Sequence, residues 1–145
     1  MPAWINAGFE EYAKRLSGDC RLTLTEIPAV KRSNANNSRI IRTKEAERIR
    51  QRLPGGNHII ALDEKGRQCT TQELSAALES WLAGGRDIGF IIGGADGLDE
   101  TLIDEAGDRI SLSKLTLPHG LVRVMLAEQI YRAWSMLKNH PYHRE

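Results

Sequence analysis

DIGFIIGGADG (residues 87–97) runs through Ile88, Phe90, Ile91 and Ile92 and then stops at the glycine pair Gly93-Gly94. A short apolar run rich in β-branched and aromatic residues, closed by turn formers, reads as a buried strand. HIIALD (58–63) has the same character. Between them, Thr70 followed by Glu73 has the spacing of a capping box, which predicts a helix over 71–83 ended by Gly84-Gly85. An acidic helix is expected near 98–106. Buried strands alternating with helices predict an α/β fold, a parallel sheet covered by helices on both faces.

The flanking sequence extends this pattern. Residues 2–16 place Ile5, Phe9, Tyr12 and Leu16 on one helical face. RLTLTEI (21–27) alternates like a strand, and 28–38 is a polar loop rich in asparagine and serine. Residues 39–53 read as a basic helix stopped by Pro54-Gly55-Gly56, 109–117 as a strand and then a loop, and 120–138 as a long helix. With no repeat, low-complexity tract or linker, residues 1–145 are expected to form a single domain.

Hydrophobic residues make up 41% and charged residues 27%, a globular balance. The longest apolar runs are too short and too interrupted, as by Arg123, to cross a bilayer. No basic, then apolar, then small-residue leader opens the sequence, so a cytoplasmic location is expected. Cys20 and Cys69 lack CxxC spacing and are expected to be thiols. The net charge of +1 conceals segregation: residues 31–52 hold eight basic side chains against Glu45 and Glu47. Residues 53–108 carry three basic against eleven acidic side chains. The basic run fits either a phosphate-binding face or a solvated arginine-laced helix.

In open parallel sheets, ligands sit beyond the carboxyl ends of strands. That directs attention to Leu62, to Gly93 and Gly94, and to the run Leu112-Ser113-Lys114-Leu115-Thr116-Leu117. The glycine stretch lacks GxGxxG spacing and no Gly-Lys-Ser/Thr follows, which excludes dinucleotide and P-loop readings. By spacing alone it is a tight turn. A serine triad has no GxSxG elbow to support it. His140 and His143 do not suggest a metal: Pro141 opposes a helix that would stack both imidazoles, and no cysteine or carboxylate cluster completes a shell. The 121–137 helix is apolar at twelve of seventeen positions, more than one stripe. It is therefore either central in the monomer or part of a subunit interface.

LTLPHGLVRVMLAEQIYRAWSMLKNHPYHRE (115–145), FIIGGADGL (90–98) and IIALDEKGRQ (59–68) closely resemble the RlmH family of SPOUT-class ribosomal RNA methyltransferases, over essentially the whole chain. Members of that family typically begin with a further short strand before the equivalent of MPAW, and this sequence starts at that point. The resemblance implies a homodimer, with no membrane and no metal, and a C-terminal trefoil knot at the cofactor site. It implies use of S-adenosylmethionine to methylate N3 of a pseudouridine in 23S ribosomal RNA, with that RNA, free or within a subunit or the ribosome, as the partner.

Such a cofactor needs apolar and backbone polar surface rather than a phosphate cradle. Leu62, Gly93, Gly94 and Leu112–Leu117 are the expected contacts. The N3 imide must lose a proton during methyl transfer, which calls for a base or a stabiliser of developing charge. The tail offers His143 as base or relay, Arg144 with Arg123 for phosphate or developing charge, and Tyr142 for stacking or hydrogen bonding. His119 is either part of this set or structural, bonding backbone within the knot. The alternatives are a non-catalytic RNA-binding module on this fold and a SPOUT methyltransferase acting on another RNA.

Overall fold

The computed structural model describes residues 1–31, 33, 37–53, 58–94 and 96–144. In chain order they form α1 (Ala3–Ala13), α2 (Ser38–Arg52), β1 (His58–Gln68), α3 (Thr71–Gly84), β2 (Ile88–Ile92), α4 (Glu100–Glu105), β3 (Asp108–Ser111) and α5 (His119–Leu137). A 3-10 turn, Pro141–Arg144, follows α5. Two compact units share the chain: 24–67 with 87–114, and 1–23 with 68–86 and 115–145.

The first of these units contains the sheet, in the order β2-β1-β3. β1 and β2 are parallel, in register from His58 opposite Ile88 to Leu62 opposite Ile92. Successive strand residues point to opposite faces, yet Ile60 and Ala61 are both 0% exposed. Both faces of β1 are therefore covered, which is why its sequence is a continuous apolar run. Ala46 of α2 and Leu102 and Ile103 of α4 pack with Ala61, Ile91 and Leu98, and Ile49 and Leu53 close the edge. α2 is capped by Asn37, whose side chain accepts from the Ile40 amide. Asp99 caps α4 through the amides of Thr101 and Leu102.

The second unit is helical. Thr70 and Glu73 complete the capping box of α3, and Gly85 ends it at φ 69°. α3 meets α5 through Leu74, Leu78 and Ala133, with Ser75 donating to the Ala133 carbonyl at 2.9 Å. α1 meets α5 where glycines let the helices approach: a Cβ on Gly8 would lie 3.2 Å from Val124, and one on Gly120 would collide with Ile5. α5 is thus packed against two helices of its own chain, while its Val122, Met125 and Met136 are half-buried.

Several boundaries differ from expectation. RLTLTEI (21–27) is not a strand: it has the alternation, but no ladder forms there among the described residues. β1 does not stop at Asp63 but runs on to Gln68. α4 is only six residues long. Pro54-Gly55-Gly56, expected to stop α2, lies outside the described residues. No disulfide joins Cys20 and Cys69, and burial pushes the Cys20 thiol up. Among the described residues, no helix is long and apolar enough to cross a membrane.

Candidate active site

In the sheet-bearing unit the register brings the first expected contacts together. Leu62, 8% exposed, pairs with Ile92, so the β1–β2 ladder ends one residue before Gly93. β1 continues past that point, so Leu62 marks the end of the ladder rather than of the strand. A Cβ on Gly93 would lie 2.6 Å from the Gly97 carbonyl carbon and 2.8 Å from the Leu98 nitrogen. No L side chain fits that gap, so Gly93 is required first by the packing of its own loop. The Gly97 amide donates to the Gly94 carbonyl at 3.0 Å, and Gly97 takes φ 81°, a left-handed value that favours glycine.

Two grips on this loop were not anticipated from sequence. The Ser38 hydroxyl donates to the Asp96 carboxylate at 2.9 Å, and Arg42 Nη1 donates to the Asp96 carbonyl at 3.4 Å. Glu45 carboxylate oxygens lie 3.4 and 3.5 Å from where a Gly94 Cβ would be. All three side chains belong to the helix read from sequence only as a basic run. Beside Leu62, Asp63 pairs with Arg109 of β3 at 2.5 Å, linking neighbouring strands. After β3, Leu112 and Ser113 are half-buried and Lys114 is exposed, with the Ser111 hydroxyl bonded to the Ser113 carbonyl at 2.8 Å.

The remaining candidates belong to the helical unit. Leu115 is 72% exposed, Thr116 is exposed and Leu117 is half-buried. His119 opens α5, and its Nε2 accepts from Arg123 Nε at 2.9 Å. This bond pairs His119 with Arg123, itself buried. At 1.5 Å per residue, His119 stands roughly 14–18 Å along α5 from Glu128 and Tyr131, where the tail is held.

The tail is folded back rather than frayed. Past α5, Asn139 adopts φ 55°, the His140 amide reaches the Ser135 carbonyl at 2.8 Å and the Asn139 amide reaches that of Met136 at 3.4 Å. These are the paired bonds of a Schellman turn, with asparagine at its left-handed position. Tyr142 then rests on Tyr131, ring centroids 4.6 Å apart, and its hydroxyl donates to Glu128 at 2.8 Å. Glu128 also accepts from Arg132 Nε at 3.1 Å and Gln129 Nε2 at 2.7 Å. The Arg132 guanidinium lies 4.8 Å from the Tyr142 ring centroid.

Burial works to raise the Glu128 carboxyl, but the bonds from Tyr142, Arg132 and Gln129 outweigh it and hold it below the ordinary glutamate value. The Tyr142 phenol is pushed far up by burial and by that carboxylate. It therefore stays protonated and serves as the donor that anchors the tail. His143 is half-buried, and its Nδ1, screened from solvent, has no hydrogen-bond partner among the described residues. Arg144 is exposed. Glu128, which sequence reading passed over, is the residue that organises the tail. Its one legible signal was that it is the single carboxylate in the sequence of α5.

Residues 1–143 match the model of a protein family described as "predicted SPOUT methyltransferase". The chain belongs to the SPOUT methyltransferase family. This SPOUT chain is 52% identical over 145 residues to the ribosomal RNA large subunit methyltransferase H of Hydrogenovibrio crunogenus, covering 100% of itself and 93% of that relative. It is 53% identical to the protein of that name from Janthinobacterium sp. and 52% identical to that from Bordetella petrii. In both cases the match covers 99% of this chain and 92% of the relative. Membership of the SPOUT methyltransferase family makes the chain an enzyme that transfers a methyl group.

Proposed function

We propose that this protein is a ribosomal RNA methyltransferase that takes its methyl group from S-adenosylmethionine and places it on N3 of a pseudouridine in 23S RNA. The observation that carries the reading is the match itself: half the residues are identical across more than nine-tenths of relatives named for that activity class. We further assign it to the cytoplasm and to the homodimeric state, both on the family resemblance.

The residues after the parallel ladder fit the cofactor in kind. Leu62 and Leu112 offer apolar surface for adenine, and the Gly93–Gly94 backbone offers amides and carbonyls free of side chains in a stretch without the glycine spacing of a phosphate cradle. Ser113, Lys114, Leu115, Thr116 and Leu117 complete the assigned set. When bound, S-adenosylmethionine supplies an electrophilic methyl on a sulfonium centre. The protein must hold the acceptor and remove the imide proton. His143 is assigned that proton: its Nδ1 is desolvated and not committed to another described group. Tyr142 holds His143 in place by its own anchorage, and Arg144 and Arg123 are assigned to phosphate or developing charge.

The test is methyl transfer from labelled S-adenosylmethionine to ribosomes from cells lacking the modification, with the product mapped to its nucleotide. Incorporation at a pseudouridine of the large-subunit RNA is the expected result. Incorporation elsewhere would reassign the substrate, and RNA binding without incorporation would make the chain a binding module. His143→Ala should lower single-turnover rates by about 10²–10⁴, the usual range for a positioned base. A rate within twofold of wild type would remove His143 from the mechanism.

A further inference from the structure

We infer that Ser38 and Arg42 are positioning residues for the glycine loop Gly93–Gly97, acting through Asp96. This rests on the reading of that loop as the methyl donor's seat. The two side chains are four residues apart on α2 and so share a face, and Glu45 lies on the same face three residues further on. Ser38 holds the Asp96 carboxylate at 2.9 Å and Arg42 holds the Asp96 carbonyl at 3.4 Å. The next peptide carries the Gly97 amide, which closes the turn onto Gly94 at 3.0 Å. The Gly97 carbonyl carbon in turn lies 2.6 Å from where a Gly93 Cβ would be. A chain of direct contacts therefore runs from α2 through Asp96 and Gly97 to Gly93.

Such a loop needs outside support. Glycine loses more conformational freedom on ordering than any other residue, and three of the loop's residues are glycines. α2 is a firm base for the grip because Ile41, 2% exposed, and Ala46, 1% exposed, fix it within its own unit. Its cap is supplied by Asn37, which leaves the Ser38 hydroxyl for the loop. Neither grip belongs to the apolar packing of α2, which is made by Ile41 and Ala46. Loss of the grips should change what the loop binds while leaving the fold standing.

The experiment uses the full chain, with calorimetric affinity for S-adenosylmethionine, thermal melting, and steady-state methylation at limiting and saturating cofactor. Ser38→Ala and Asp96→Ala should each weaken cofactor affinity by up to about tenfold, the size of one net hydrogen bond. They should raise KM for the cofactor to match, with kcat at saturation near wild type and melting little changed. Asp96→Asn keeps an acceptor for Ser38 and should recover affinity to within about twofold. Wild-type affinity in Ser38→Ala overturns the inference even if Asp96→Ala fails to fold, because the serine change removes only an exposed hydroxyl. A wild-type protein that binds no S-adenosylmethionine overturns the reading of the loop and the inference together. Wild-type binding with unaltered variants overturns the inference alone.

Discussion

Glu128 collects donors from Tyr142, Arg132 and Gln129, and its titration sets the acid limit of the tail's attachment. Its folded pKa is depressed, so its contribution is present above the ordinary glutamate range and is lost as pH falls through the lower, folded value. Tyr142 works in the opposite sense. Its folded pKa is raised, so its contribution is present below the phenol's ordinary 10.0 and is lost as pH rises through the higher value. The tail should therefore stay docked across the neutral range and release at both extremes. Ring resonances of Tyr142 followed against pH would show this plateau, and release near neutrality would refute it. Tyr142→Phe keeps the stacking and removes the hydroxyl, for a cost of about 0.5–1.5 kcal/mol. It also deprives Glu128 of a donor, so the acid limit should move to higher pH.

Among the elements, α2 changes meaning most between sequence and structure. Its cations read either as a phosphate-binding face or as a solvated arginine-laced helix, but Arg50 is paired with Glu105 at 3.2 Å, Arg48 is bonded to the Pro28 carbonyl at 2.6 Å, and Arg42 reaches Asp96. Arg39, Lys44 and Arg52 are exposed and have no ion-pair partner among the described residues. If α2 meets RNA it does so through these. Arg39→Ala and Lys44→Ala should each weaken binding to large-subunit RNA and reduce the slope of log affinity against log salt by about one. An unchanged slope would remove α2 from the RNA interface.

The turn after α5 is equally specific. Asn139 at φ 55° should accept glycine without loss, whereas Asn139→Val should cost about 1–2 kcal/mol and loosen the tail, as thermal melting and tail resonances would record. The capping box of α3 and the apolar runs of β1 and β2 were readable because capping and burial act on neighbouring residues. RLTLTEI misled because alternation reports a half-buried environment, and a strand also needs a partner that lies elsewhere in the chain. Ser38–Asp96 spans 58 positions and Tyr142–Glu128 crosses a reversal of direction. Neither leaves a local pattern. The candidate residues were legible by type and by family resemblance, but the network that holds them was not.

For the molecule as a whole, the subunit question now stands on different ground. Part of the apolar excess of α5 is taken up by α1 and α3 of the same chain, while Val122, Met125 and Met136 stay half-buried. The homodimer rests on resemblance, and sedimentation equilibrium at micromolar concentration should return twice the chain's 16.2 kDa. A value of one chain mass would refute it. The interleaving of the two units has a separate consequence, for biosynthesis. The helical unit is assembled from three stretches of chain, and α5, the helix that both α1 and α3 pack against, is the last of its long elements to be translated. Folding during synthesis normally proceeds from the N-terminal side, domain by domain. Here α1 and α3 must wait in the nascent chain with Phe9, Leu74 and Leu78 uncovered until α5 emerges. A ribosome stalled before residue 119 should therefore display a protease-sensitive α1 and α3, and protection should arrive abruptly once Leu137 has cleared the exit.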